Sequence, residues 1–581
     1  MRNINNLKKR FKSFLNIFWK TTTSFSKKEL VLVLLLITLI SVTTFQVTEV
    51  KKNPLGSGDY GLKKGIYNEA LVGSIKHLNP LFVDYNEIDR DICSLIFSGL
   101  TRFNPETDTF EPDLATFTTN EDNTIYTFVL KDNIKWHDQE PITADDVYFT
   151  YHDIIQSLEF KNPILKSNYN GIEITKIDDR TIEFKLSEPN SFFITNTTTG
   201  IVPKHILQDY KPEDMDIVEF NTKPIGSGPY KLSSFQKGAS EDKMIITLEA
   251  FEEYYGTIPQ ISKFKFIVFG DETSLMSEKD TFNGIAKVPA DSVEMLTEDT
   301  KLNLLPYKLP QYTALFLNND SEILDENKMR IALSKSIDKQ SLLNQLENVE
   351  IVNTPLLELN ESDWINKYNI EEAQGALYDS GWKIETDDEG QKSKYRADED
   401  GNELKLTLLI LKHQKDTKNY IESKFITDFL TEKWAEVGIN LEVKEFEIGD
   451  LLVEMKMRNY DLILYKQSLG YNKDTYSFWH SSQATSEGMN ISNFKSFAVD
   501  SLIEELRRTF DEIEKQSLLK QLDGEIINDV PAIFLFTPIY YYASDFSVKN
   551  IKLENFAFKS DRFANISEWY VVEKEENIEE E

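Results

Sequence analysis

Eighteen residues without a charge, Leu30 to Val47, stand behind a basic segment: residues 1–47 hold eight bases and one acid. As a helix rising about 1.5 Å per residue, the run spans roughly 27 Å, close to the hydrocarbon thickness of a bilayer. Leu30 to Ile40 is apolar on nearly every face, whereas a core helix at a protein surface is apolar on one. The 29 residues ahead of the run are long for a signal peptide, and no small-x-small cleavage site follows it. Lipoprotein processing needs a cysteine just after the run, and the single cysteine, Cys93, lies far downstream. The bases cluster before the span, which predicts a cytoplasmic N-terminus. The expectation is one transmembrane anchor at 30–47 after a basic cytoplasmic segment at 1–29, with everything past about residue 48 outside the membrane.

Composition limits what that outer part can be. The chain has 581 residues and a net charge of −33, enough length for about three or four domains. Its 37 Phe, 25 Tyr and 7 Trp exclude a wholly disordered chain. A lone cysteine excludes an intrachain disulfide. So acidic a chain repels phosphates, and no nucleic-acid partner is expected. Residues 48–64 form a polar linker in which Gly56 to Gly61 formally matches G-x-G-x-x-G; no strand precedes it, so it reads as a linker turn. Residues 573–581 form an acidic tail.

Between these ends, apolar and polar residues alternate at Tyr126–Leu130, Thr181–Leu186, Leu404–Leu409 and Asn440–Phe446, predicting half-buried strands. Helical spacing marks Asn327–Leu346, Glu371–Ser380, Ile421–Val437 and Ser501–Ile526, the last carrying the stripe Leu502, Leu506, Phe510 and Ile513. Gly438 reads as a helix C-terminal glycine. An α/β fold with two or more sheets follows.

Catalytic chemistry is not legible. No two of the six histidines are spaced as a metal pair, and each reads as structural or surface. Cys93 sits in an apolar run and packs as a small hydrophobe. Gly226-Ser227-Gly228 lacks the spacing of a nucleophile elbow. Asp398 to Asn402 lacks the bidentate glutamate of a calcium loop and reads as a tight turn. No enzyme, cofactor or metal is expected.

One set of motifs rises above this background. Pro224, then Ile225-Gly226-Ser227-Gly228-Pro229-Tyr230-Lys231-Leu232, resembles the P-x-G-[ST]-G-P-Y-x-L signature of the solute-binding proteins of peptide-type ABC transporters, the oligopeptide- and dipeptide-binding family. Its expected physical sense is a reversal: two glycines free in φ/ψ, a proline fixing φ, and a strand from Tyr230. Further elements follow in the family's order: Leu78-Asn79-Pro80-Leu81, Ile96 to Thr101, Pro112 to Ala115, Trp136-His137-Asp138, Ile142 to Val147, Ile201 to His205, Lys328 to Lys339 and Glu372 to Trp382. The family's glycine after the aspartate is Gln139 here. The resemblance covers about residues 66–570.

The resemblance implies a bilobed periplasmic-binding-protein-like α/β fold, with two lobes, a hinge of crossing strands and a small inserted domain. Lobe I is expected at 65–100, 200–305 and 541–572, the inserted domain at 101–199 and lobe II at 306–540. It implies a monomer that traps a peptide or similar small solute between lobes, unaltered, and presents it to ABC permease subunits and, through them, to ATPase subunits. In peptide binders an aspartate of the second lobe holds the peptide's ammonium; by spacing, Gly470 stands in its place, and Asp474 is the alternative carboxylate unless it is an ordinary loop residue. The expected solute contacts are Ser468, Leu469, Gly470, Tyr471 and Asn472, with Asn79 and Pro80 from the first lobe. Phe478 and Trp479 read as core before cleft, and Tyr540 to Tyr542 as a strand face. The overall acidity favours cationic solutes at long range, less so at physiological salt. Competing readings are a sensing or adhesion ectodomain on the same fold without transport, a binder of a non-peptide solute such as a sugar or metal chelate, and an acidic surface hydrolase.

Overall fold

Where the sequence alternates apolar and polar residues, the chain pairs into ladders. The computed structural model describes residues 65–238, 243–299, 301–357, 367–386, 388–415, 417–471 and 473–572. The expected anchor, linker and acidic tail lie outside the described residues, among which no helix is long and apolar enough to cross a membrane. Strands form at Ile125–Leu130, Thr181–Lys185, Lys405–Leu411 and Asn440–Phe446, close to the expected bounds.

A mixed sheet of twelve strands organises these residues. In its first half, Ile66–Val72 lies parallel to Lys263–Phe269, which pairs antiparallel with Met244–Ala250, and that strand with Tyr230–Lys237. In its second half, Gln311–Leu317 lies antiparallel to Leu462–Ser468, and Lys405–Leu411 runs parallel to both Leu462–Ser468 and Asn440–Phe446. The 14-residue strand Ala532–Asp545 belongs to both. Its first residues pair with Gln311–Leu317 and its last with Leu302–Lys308 and Gly284–Ile285. At about 3.3 Å per residue it is roughly 46 Å long, more than twice a usual strand, so one element can serve two bodies.

The core divides along the same strand. Tyr67, Ile92, Phe264 and Tyr542 pack in one apolar cluster; Leu315, Leu408, Trp434 and Phe536 pack in another, and Tyr312, Trp479 and Phe534 in a third. Passing from Phe536 to Tyr542 therefore changes which half receives the side chain. A four-stranded antiparallel sheet inside 101–199 (Ala115–Thr119, Ile125–Leu130, Thr181–Lys185, Glu173–Lys176) adds Phe128, Ile182 and Phe184 to the first half's core.

Two expected long helices are each broken in two. Asn327–Lys335 and Lys339–Leu343 are separated at Asp338, whose carboxylate accepts from the Ser341 amide. Phe497–Arg508 and Glu512–Asp529 are separated at Asp511, whose carboxylate accepts from the amides of Ile513 and Glu514. An aspartate caps a new helix more readily than it continues an old one. The expected stripe breaks with the helix: Leu506 is buried, but Phe510 is 38% and Ile513 84% exposed, and Val499 and Ile503 take the inner face instead. Gly438 follows Lys418–Glu436 with φ +86°, as a C-terminal glycine does.

The glycine signature has a different cause from the expected one. Neither Gly226 nor Gly228 has a positive φ; both lie against the end of the helix Glu87–Ile96. A Cβ on Gly226 would meet the Ile96 carbonyl oxygen at 2.0 Å, and one on Gly228 the Leu95 carbonyl oxygen at 2.5 Å. The Gly228 amide donates to Ile96 O at 2.8 Å, satisfying a carbonyl the helix leaves open. His137 clamps the other side: its Nδ1 accepts from the Gly226 amide at 3.2 Å, and its Nε2 lies 3.1 Å from the Gly228 carbonyl. Burial holds this imidazole neutral, with its pKa lowered to about 4. Two motifs 90 residues apart thus form one clamp, and Gln139 closes the adjoining turn at φ +82° where the family has glycine.

Candidate functional site

The strand Leu462–Ser468 ends where the two halves face each other, and the residues leaving it are the ones the sequence singles out. The Leu469 amide donates to the Pro310 carbonyl at 2.8 Å, which fixes the exit. Gly470 then takes φ +58°, a conformation that favours glycine. A Cβ there would meet Phe558 Cζ, from the first half, at 2.8 Å. Tyr471 follows and inserts between aromatic rings of the first half: Phe558 at 4.7 Å between centroids, Phe103 at 5.1 Å and Phe110 at 5.9 Å. Its hydroxyl donates to Asp561 Oδ1 at 2.5 Å.

Asp561 is buried, and its other oxygen accepts from the amides of Ala557 and Phe558, each at 2.8 Å. Burial raises its pKa to about 6 against the opposing pull of the Tyr471 hydrogen bond, the two amides and Arg90. The same burial, with the Asp561 charge next in size, pushes the Tyr471 hydroxyl well up. Arg90 lies 4.1 Å over the Phe558 ring, a cation–π contact beside this junction.

Around the junction runs a cleft of about 1180 Å³ with walls from both halves. Pro80, Ser468, Leu469, Gly470 and Tyr471 line it, as does Phe478, while Trp479 is core. Asn79 does not line it. That side chain is fully buried, accepts from the Leu81 amide at 3.0 Å and donates to Asn221 at 2.9 Å, so it builds the turn that presents Pro80. Asp474 does not line it either: it is buried, and one carboxylate oxygen accepts from Arg507 Nε and an Arg507 terminal nitrogen at 2.8 and 2.6 Å. Asn472 lies outside the described residues.

Several lining residues carry no local sequence signal. Phe558 and Asp561 come some 90 positions after Tyr471, in a C-terminal stretch with no motif. In the wall below Pro80, the Tyr255 hydroxyl lies 2.5 Å from the Asp113 carboxylate and 2.8 Å from Ser98 Oγ, with Lys131 5.1 Å from the ring. The pair Tyr254-Tyr255, beside an apolar strand end, was the one available hint. The arrangement presents aromatic faces, backbone groups and the Tyr255–Asp113 and Tyr471–Asp561 hydrogen bonds. It can grip a solute by aromatic surface, backbone and a few dipoles, and hold two halves together.

Comparisons with known proteins bear on this cleft. The family described as bacterial extracellular solute-binding proteins, family 5 Middle, matches residues 109–489. The oligopeptide-binding protein AppA of Bacillus subtilis (strain 168) is 26% identical over 523 residues, 87% of this chain and 92% of that protein. The dipeptide-binding protein of Escherichia coli (strain K12) is 24% identical over 497 residues, 80% of this chain and 87% of that protein. The solved structure of AppA from Bacillus subtilis in complex with a nonapeptide superposes with a TM-score of 0.68 at 24% identity, covering 88% of this chain and 99% of that one.

Proposed function

This chain belongs to the bacterial extracellular solute-binding proteins, family 5, and from that premise we propose that its cleft captures a peptide between two lobes and gives it up unaltered to an ABC-type permease. The observation that carries this reading is the cleft of about 1180 Å³ walled by Pro80 and Phe558 on one side and Ser468 to Tyr471 on the other. Small-molecule pockets run to about 300–1,000 Å³, so this volume suits an extended solute with water around it. An edge of backbone groups leaving Leu462–Ser468 suits peptide recognition by main-chain pairing, with side chains received in roomy pockets. The names of AppA and of the dipeptide-binding protein point the same way.

In this reading residues 65–100, 200–305 and 541–572 form lobe I, 101–199 the small inserted domain and 306–540 lobe II, and the strands crossing between lobes, Ala532–Asp545 chief among them, act as the hinge. The uncharged run 30–47 anchors a monomer to the cell membrane with its folded part outside. Calorimetric titration of residues 65–581 with synthetic pools of tri- to hexapeptides tests the capture. We expect saturable binding of some pool; no heat with any pool would remove the peptide from the reading.

A further inference from the structure

The wall below Pro80 belongs to the first half alone, and it is built from side chains of both signs. Ser98, Arg102, Asp113, Lys131, Tyr254 and Tyr255 all line the cleft there. Two ladders set the charged ones. Arg102 lies in Thr101–Asn104, which pairs antiparallel with Thr109–Pro112, and Asp113 is the next residue. Lys131 directly follows Ile125–Leu130, and its amide donates to the Leu114 carbonyl at 2.9 Å, which keeps it beside Asp113. Tyr254 and Tyr255 come from the turn after Met244–Ala250, their ring centroids 4.5 Å apart.

Asp113 is the centre of the group. It is 7% exposed, and its amide donates to the Leu100 carbonyl at 3.0 Å, so its backbone is fixed. The Tyr255 hydroxyl gives its one hydrogen to Asp113 Oδ1 at 2.5 Å and accepts from Ser98 Oγ at 2.8 Å. A carboxylate has about four acceptor sites, so these two hydroxyls leave acceptor capacity unused. Burial raises the Asp113 pKa, against the Tyr255 hydrogen bond and the charges of Arg102 and Lys131. Those two cations are lightly engaged. Among the described residues, Arg102 has one ion pair, a long one to Glu111 at 3.4 Å, and Lys131 has none; its ammonium sits 5.1 Å from the centre of the Tyr255 ring.

One buried acceptor flanked by two donors discriminates by charge. An anionic group of a solute would meet Asp113, and a cationic one Arg102 and Lys131, so each faces a like charge. An apolar side chain would leave these polar groups covered and unanswered. A carboxamide avoids both faults: its N–H groups donate to Asp113 while its carbonyl oxygen accepts from Lys131 or Arg102.

We infer that this wall is a subsite for a carboxamide of the captured solute, with Asp113 as the acceptor and Lys131 as the donor that determine the preference. The inference rests on the peptide reading above. A peptide offers that group on an asparagine or glutamine side chain or in its main chain, and the same residues would hold either.

Two matched synthetic pools of tri- to hexapeptides, titrated into the full-length chain in detergent, tell the sources apart: one carries Asn or Gln at each varied position, the other Leu or Met. The Asn/Gln pool is expected to bind at least fivefold more tightly, and Asp113→Leu and Lys131→Met should each bring the two pools within twofold of each other. That result assigns a side-chain carboxamide. Equal binding of both pools to the wild-type protein, with both weakened at least fivefold by either variant, assigns a main-chain amide. Lys495→Gln, which does not line the cleft, should leave order and affinities unchanged. Thermal melts check that each variant folds, and Lys131→Met carries the test alone if Asp113→Leu does not. Equal pools that neither variant weakens overturn the subsite while leaving peptide capture intact, and so does a preference that both variants retain. Absence of binding to either pool overturns both.

Discussion

At Gly470 a missing side chain does more than a present one. Its positive φ and the Phe558 ring at 2.8 Å from the would-be Cβ leave no room there for the aspartate that the resemblance places in peptide binders. The carboxylate at this junction comes instead from the opposite half, as Asp561. Its pKa of about 6 lies above the ordinary 3.8, so the folded state prefers its protonated form. The stabilisation from this group is therefore full below about pH 4 and is lost as pH rises to about 6, by at most about 3 kcal/mol. Asp561→Asn should remove that slope. Melting temperatures of wild type minus variant, measured from pH 4 to 7, are expected to fall through this window and then level. A flat difference would mean that Asp561 titrates as it does in the unfolded chain. Asp523, whose pKa is also raised to about 6 by burial, is present in both proteins and cancels. The sequence showed Gly470 as a departure but could not show Asp561 as its neighbour, because 91 residues separate them along the chain.

Elements were legible wherever local patterning and packing agreed. The strand Asn440–Phe446 matches its expected bounds because all seven residues pair in register with Lys405–Leu411 on one edge and a core covers one face. The broken helices show the converse. Apolar spacing runs on through Thr509 to Asp511, but a cap that satisfies two amides outweighs continuity of the stripe. The glycine turn is the sharper lesson, since its motif was visible while its cause lay in the helix Glu87–Ile96, 130 positions earlier. Gly226→Ala should destabilise by about 3 kcal/mol or more, since the Ile96 carbonyl is backbone and cannot step aside. Chemical denaturation checks this: a loss under about 1 kcal/mol would show that the turn can shift at little cost.

The whole molecule poses the question of what holds two halves together across a cleft. Among the described residues, two exposed ion pairs cross it, Lys473 with Asp108 at 2.7 Å and Arg508 with Glu188 at 2.8 Å. Pairs so open to solvent contribute little. The Ser191 amide also donates to the Arg507 carbonyl, at 2.7 Å. The Tyr471 contact is different in kind: a hydrogen bond to a buried carboxylate inside an aromatic sleeve, of the sort worth about 1.5–3 kcal/mol. Under the proposed capture mechanism that is enough to tilt an open–closed balance by tenfold or more. Tyr471→Phe should raise the radius of gyration of the peptide-free protein in solution scattering and weaken peptide binding about three- to tenfold. An unchanged radius together with unchanged affinity would show that the junction does not govern closure.

The amino-acid sequence by itself determined the α/β class, the strands it marked and two of its four expected helices, and, through the resemblance, the stretch from Ser468 to Tyr471 that lines the cleft. All of these follow from periodicities and motifs that act over a few residues, or from ordered motifs whose order survives without coordinates. Only the tertiary structure decided that Asn79 and Asp474 serve the scaffold, that Phe558 and Asp561 complete the junction, and that Tyr255 meets Asp113 in the cleft wall. The reason is physical. A side chain's burial and partners are set by segments hundreds of residues away, brought together by one long strand that two cores share.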